Sequence, residues 1–441
     1  MSHQPEVLIV GSGLAGSQAA LTIAALGGTV ELCEMRPLIQ TVAHRTPHAA
    51  ELVCSNSLRS NELHSAAGLL KQELRILDCD LLRLAEEAAI PGGTALTVDR
   101  EQFALKVTAA LVSHPRVRLR NCQVTDVPRD RICILATGPL TSDGLADAIQ
   151  HLTGEANLAF HDAIAPVVDA ETVDADRVFA SSRYDKSGAD FLNCPLTESQ
   201  YRTFRDALLS AEGIFKHQFD ELDFFGCPPI EKLGRSGEET LRHGPMKPFG
   251  LRDPRTGETP YAVVQLRKEN LRSDSYNMVG FQNQLKFSEQ QRVFRMIPGL
   301  EQAEFLRFGQ MHRNTYVRAP ALLNADLSLR RHPNVFLAGQ LAGVEGYVEA
   351  MATGLIAGVQ VWRRSMKLPP LELPRQTALG SICHYLVHAE LDSFAPVRFI
   401  FDLLPIPEKG MQRLERRERQ CERALHAARD LARTVNPMVT V

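Results

Sequence analysis

The chain has 441 residues, 44% hydrophobic and 23% charged, with a net charge of −3. This is the composition of an ordinary folded protein of two or three domains, and it excludes a uniformly basic coat for nucleic acid. The charge is uneven: residues 310–441 carry 17 Lys and Arg against 12 Asp and Glu, a local +5 that leaves −8 elsewhere and points to a polyanion-binding face.

Residues 7–10, VLIV, form an apolar run of the kind found in a strand buried on both faces. GSGLAG follows and sets Gly11, Gly13 and Gly16 in GxGxxG spacing, with Ser12, Leu14 and Ala15 between them. SQAALTIAALGG is a predicted helix ending at Gly27 and Gly28. TVELCEM is a second strand reaching Glu34 and Met35, with Arg36 next. This order predicts a dinucleotide site. Gly11 permits the tight turn, Gly13 lets the backbone approach a pyrophosphate, and Gly16 lets helix and strand pack closely. The helix N-terminus offers N–H groups to phosphate, and Glu34 offers its carboxylate to a ribose diol.

Further along, ELVCSNSLRSNEL (51–63) isolates Cys54 among small polar residues. TALTVDREQFALKVTAAL reads as an amphipathic helix and VRLRNCQV as a strand. ICILATGPL (132–140) is a buried strand ending in Ala136, Thr137 and Gly138. From about 160 to 310 there is no glycine-rich turn, and the stretch reads as an inserted α/β domain. In it, LTESQYRTFRDALLSAEG is a helix with a capping box at Thr197 and Gln200. YAVVQLRKEN and SYNMVGFQ are strands, and the run 237–260 is loop. NVFLAGQLAGVEGYVEAMATGLIAG (334–358) is a strand, a glycine-rich turn and a helix. After a Pro-rich link, residues 412–433 form a helix with seven arginines interleaved with Glu415, Glu418, Glu422 and Asp430. That helix is either a solvated face laced with i,i+4 pairs or a phosphate-contacting surface.

Nine cysteines are scattered with no CxxC spacing, and His44, His48 and His64 share no ligand spacing with them, so no metal is expected. The odd count and the lack of a leader predict a reducing, cytoplasmic setting. The longest apolar region, 335–362, is broken by Glu345, Glu349 and five glycines and reads as buried protein rather than a membrane span.

ATG at 136–138 resembles the second motif of flavin domains, and the 334–358 segment resembles the closing motif of glutathione-reductase-type FAD domains. There a helix N-terminus faces the flavin and stabilises negative charge on the reduced ring. Gly339, Gln340, Gly346 and Tyr347 fall in that motif, with Gln340 where many relatives carry Asp. The expected fold is therefore α/β. It consists of a discontinuous, Rossmann-like FAD-binding domain (1–160 and 311–441) with a smaller α/β domain inserted at 161–310 and a basic C-terminal helical segment.

GSGLAG, LVCSNSLRSN, GCPPIE (226–231), MHRNTY (311–316) and LAGQLAGVEGYVEAMATGLIAG together resemble the folate- and FAD-dependent tRNA (uracil-5-)-methyltransferases, the TrmFO family. A more distant likeness is to the MnmG or GidA flavoproteins that modify another tRNA uridine, which carry a longer C-terminal helical region. The resemblance implies methylenetetrahydrofolate as one-carbon donor, NADH or NADPH as reductant of FAD, and a T-loop uridine of tRNA as target. It implies that Cys227 attacks uracil and that Cys54 is a second thiol on the flavin side, as base, adduct partner or pocket lining. Read without it, both suit small buried hydrophobes. His312 is a candidate to stack on the pterin or touch tRNA, Arg313 and Asn314 to hold folate or phosphate. Arg413, Arg416, Arg417, Arg419 and Arg423 are candidates for the tRNA face. A FAD-fold protein that binds without catalysis is the remaining alternative.

Overall fold

The computed structural model describes residues 6–41, 43–154, 158–185, 190–214, 228–406 and 412–435. Val7–Val10 is the middle strand of a five-stranded parallel sheet. Its order is Val335–Leu337, Cys133–Leu135, Val7–Val10, Val30–Glu34, Val117–Asn121. Every residue of Val7–Val10 is buried, as an uninterrupted apolar strand between helical layers requires. The edge strand Val335–Leu337 comes from about two hundred residues beyond its neighbour Cys133–Leu135, so the sheet is complete only when the later part of the chain docks on the first.

Helix Leu14–Ala25 leaves the first strand and packs along helix Tyr347–Ser365. Two glycines make this approach possible. A Cβ on Gly16 would lie 1.8 Å from the Gly11 carbonyl oxygen, and one on Gly354 would lie 2.3 Å from that of Ala15. Both neighbours are backbone, which cannot rotate away.

Between these halves the chain builds a six-stranded sheet with antiparallel pairing. Its order is Phe179–Ala180, Phe191–Leu196, Ala262–Lys268, Ser275–Met278, Val167–Asp169, Phe305–Arg307. This sheet and helix Glu198–Ser210 share a hydrophobic core, including Phe204, Met278, Phe281 and Phe294, that is separate from the core under the parallel sheet. The capping box at Thr197 and Gln200 is formed.

Two local expectations change, and one motif gains a definite structure. Residues Ala95–Val98 are a strand, and the helix begins only at Arg100, because the Asp99 carboxylate accepts the Gln102 N–H and caps it there. The 237–260 run contains a short helix, Thr240–His243. MHRNTY is a strand, Met311–Tyr316, paired antiparallel with Leu158–Ala163. The C-terminal helix spans Arg413–Val435 and buries Cys421, Ala424, Ala428 and Leu431. Among the described residues no helix is long and apolar enough to cross a membrane. No group of three His, Cys, Asp or Glu side chains there is arranged to hold a metal.

Candidate cofactor and thiol site

A cavity of about 360 Å³ lies at the carboxyl ends of the parallel strands, the usual place for a ligand in an open α/β sheet. Gly11, Gly13, Leu14, Ala15, Glu34, Met35, Arg36, Thr137, Gly138, Gly339, Gln340, Gly346 and Tyr347 line it, and so does Cys54. Segments remote in sequence thus meet around one space.

Two residues of the glycine-loop set act from behind the wall. Gly16 serves packing. Ser12 is buried and gives both its N–H (2.9 Å) and its hydroxyl (2.8 Å) to Glu34 Oε2. Glu34 Oε1 accepts the Arg36 N–H at 3.1 Å and its Nε–H at 3.0 Å. Burial opposes the charge on Glu34, but the hydrogen bond and charge of Arg36 and the Ser12 N–H overcome it and hold the carboxyl at about 2. Each oxygen already carries two donors. A ribose hydroxyl would therefore enter by replacing one, and the Ser12 hydroxyl is the one free to rotate.

These residues fit a dinucleotide. Helix Leu14–Ala25 starts at Gly13 with no side-chain cap, and helix Tyr347–Ser365 starts at Gly346, φ +122°, again with none. Both helix N-termini line the cavity, with open space within 4 Å of a Cβ placed on Gly13 or Gly138. Uncapped first-turn N–H groups and the positive ends of two helix dipoles favour a ligand with negative charge in two places.

At the other end of the cavity stands Cys54, half-buried. The Tyr347 hydroxyl accepts the N–H groups of Cys54 (2.9 Å) and Ser55 (3.1 Å), and so ties the thiol loop to the closing helix. Tyr347 is held neutral, since burial pushes its ionisation up. Gln282, from the inserted region, reaches the same cavity.

Several lining residues had no signal in the sequence. His44 shares a 2.6 Å hydrogen bond with Thr41 and is held neutral, its pKa lowered to about 4 by burial and by Arg36. Glu349, fully buried, accepts from Phe399 N–H at 3.1 Å and meets Arg59 at 3.5 Å, while burial raises its pKa. Arg398 pairs with Glu345. His44 and Arg398 belong to no recurring motif and are brought in by tertiary packing, whereas Glu345 and Glu349 lie within the 334–358 segment without having been singled out there.

Cys227 lies outside the described residues. The described chain resumes at Pro228, and Ile230 N–H bonds the Gln282 carbonyl at 2.7 Å, at the cavity wall. His312, Arg313 and Asn314 sit in register with Asp162, His161 and Phe160 of the paired strand; their side chains lie outside the description. Arg416 and Arg417 are not part of the cavity. Arg417 lies over the Phe401 ring at 5.2 Å and Arg419 meets Glu415 at 3.9 Å, so part of this helix is engaged locally.

Residues 6–369 match the family described as glucose inhibited division protein A. A protein of Solibacter usitatus named methylenetetrahydrofolate–tRNA-(uracil-5-)-methyltransferase TrmFO is 52% identical over 95% of this chain and 97% of its own. The chain belongs to the TrmFO family. Proteins with the same name from Symbiobacterium thermophilum and Enterococcus faecalis are 51% and 48% identical, over 96% and 95% of this chain and 96% and 97% of their own. In fold, GidA of Aquifex aeolicus is similar with a TM-score of 0.70 over 97% of this chain and 74% of that one, at 16% identity. The expected mixed α/β fold and the family resemblance are thus both borne out, and the TrmFO relatives match this chain in length.

Proposed function

We propose that this chain methylates carbon 5 of uridine in tRNA with methylenetetrahydrofolate as one-carbon donor, the T-loop uridine being the target and the cytoplasm the setting. The near-complete overlap with TrmFO proteins at about half identity supports the reaction class. The observation that carries the chemistry is Cys54 in one cavity with two uncapped helix N-termini.

Carbon 5 of uracil is a weak nucleophile. A thiolate, assigned to Cys227, adds at carbon 6 and raises electron density on carbon 5. Carbon 5 then bonds to the one-carbon unit and loses its proton to a nearby base, tetrahydrofolate departs with the electrons of its bond to that carbon, and addition of a hydride there expels the thiolate from carbon 6. FAD, reduced by NADH or NADPH, supplies the hydride equivalent that brings the methylene carbon to methyl. The glycine loop at Gly11–Gly16 and the turn at Gly339–Tyr347 hold the dinucleotide, with Glu34 at its ribose. Cys54 is the thiol on the flavin side, positioned by Tyr347. His312, Arg313 and Asn314 face folate or RNA, and Arg416 and Arg417 contribute to the tRNA face. In this reading residues 1–160 and 311–441 form the FAD domain and 161–310 the substrate-side insertion. The uridine has to leave its stack to reach the cavity.

The test is a nucleoside digest of tRNA incubated with the purified protein, methylenetetrahydrofolate and NAD(P)H. The expected product is 5-methyluridine; product formed with S-adenosylmethionine alone sinks the reading. Cys227→Ala is expected to abolish transfer with flavin retained. Cys54→Ser is expected to lower the rate by about 100-fold or more with flavin still bound. Full activity would return Cys54 to a lining role.

A further inference from the structure

The thiol end of the cavity carries more buried positive charge than its carboxylate neutralises. Arg267, only 8% exposed, comes from strand Ala262–Lys268 and gives Nη2–H to the Ser55 hydroxyl at 2.8 Å. Arg100, at the start of helix Arg100–Ser113, gives Nη1–H to the Leu52 carbonyl at 2.8 Å. The two guanidiniums therefore grip the Leu52–Ser55 loop at its two ends, with Cys54 between them. Glu269 is the acid that meets this pair, at 2.8 Å from Arg100. The Nε atoms of Arg100 and Arg267 are both buried and meet no acceptor.

Arg100 on its helix, Arg267 on its strand and Tyr347 on the closing helix each interact electrostatically with Cys54, and Glu269, just after that strand, pairs with Arg100. Arg307, half-buried and bonded to the Ala43 carbonyl at 3.2 Å, adds a third cation beside Arg100 and Tyr347. Tyr347 stays neutral and contributes no anion. A buried cluster with cations in excess is costly unless an anion completes it, and the thiol held inside the grip is the group able to become one.

We propose that Arg267 and Arg100 are positioning residues that keep Cys54 as a thiolate near neutral pH, with Glu269 setting how much of their charge the sulfur feels. This rests on the reading of Cys54 as a working thiol. The thiol proton passes to solvent through the cavity mouth; the chain itself supplies only the field and the loop geometry. Two cations on one loop also explain why the inserted region is docked here. Arg267 carries charge from that region to a thiol on the cofactor side, and Asn56, two residues on, donates its Nδ2–H to the Lys268 carbonyl at 2.9 Å.

The experiment is the rate of Cys54 carbamidomethylation by iodoacetamide as a function of pH. It is followed by peptide mass spectrometry on the full chain with flavin bound and without tRNA or folate. The thiolate forms the S–C bond and iodide leaves, so the pH midpoint reports the thiol. Arg267→Gln is expected to move the midpoint up by about one unit, which slows alkylation about tenfold at pH values below both midpoints. Arg267→Lys is expected to recover most of that. Glu269→Gln is expected to move the midpoint down. A general loosening of the loop would move the midpoint toward that of a free thiol in both variants, whereas removal of charge moves it in opposite directions in Arg267→Gln and Glu269→Gln. Unmoved midpoints in both Arg267→Gln and Glu269→Gln overturn the proposal. Should Arg267→Gln fail to fold, the downward shift in Glu269→Gln carries the test, read on protein whose retained flavin absorbance and melting temperature show that the site is intact. Since no substrate is present, this result stands or falls separately from methylation.

Discussion

At the phosphate end of the cavity the walls are backbone: glycines with no Cβ, and two helix N-termini without side-chain caps. Around Cys54 the site depends on side chains: Tyr347 lines the cavity with it, and Arg100 and Arg267, with Glu269 paired to Arg100, hold its loop from outside the cavity lining. The first end needs residues that are missing atoms. The second needs residues that carry particular atoms to particular places. A backbone-built site therefore tolerates many changes of charge and no change of volume, whereas a side-chain-built site behaves the other way round.

The largest effect expected from this contrast is at Gly16. A Cβ there meets the Gly11 carbonyl at 1.8 Å, so Gly16→Ala should push the helix off the strand. It is expected to cost about 3 kcal/mol or more and to give protein without flavin absorbance; a yellow, normally stable variant would break the contrast at its clearest point.

An intermediate effect is expected at Glu34, where the backbone-built end does depend on one charge. Glu34→Gln should weaken flavin binding by about 2 kcal/mol, measured by titration of the apoprotein. The acid side gives a second readout. The Glu34 carboxyl is lowered from 4.5 to about 2 in the fold. Its contribution to stability is therefore complete above pH 4.5 and lost as pH falls toward 2. Glu34→Gln should flatten the fall in melting temperature across that window, and an unchanged slope would remove Glu34 from the account.

The smallest effect belongs to the outer helix. Arg416→Ala and Arg417→Ala should each weaken tRNA binding a few-fold and reduce the slope of log affinity against log salt by about 1. Flavin binding should not move. Arg417 also packs on Phe401, so a small loss of helix stability in that variant alone would separate the packing role from the phosphate role.

The same contrast explains what was legible in the sequence. Gly11, Gly13, Gly16 and Glu34 lie close together along the chain, because a strand, a turn and a helix N-terminus are local objects with a fixed spacing. The turn at Gly339–Tyr347 was legible for the same reason. Arg100, Arg267 and Glu269 were not. They lie on a helix and a strand whose only relation to Cys54 is tertiary, and an arginine inside a strand has no pattern that distinguishes a grip on a distant loop from a solvated charge. The helix starting at Arg100 was read too long because the Asp99 cap was missed inside an apolar run. MHRNTY gave no strand signal because it is mostly polar and carries no apolar run; its strand is made by pairing with Leu158–Ala163.

The seam between helix Leu14–Ala25 and helix Tyr347–Ser365 joins the two ends of the chain. Contacts of such long sequence separation form slowly, since the entropy of closing the loop is spent before the contact returns anything. The cavity therefore has no complete wall until the C-terminal strand Val335–Leu337 and its helix have been synthesised and docked. On a ribosome the six-stranded sheet, made earlier and with its own core, is free to fold while the first glycine loop waits exposed. Cofactor capture at a complete site therefore comes after the docking of that strand and helix, late in folding.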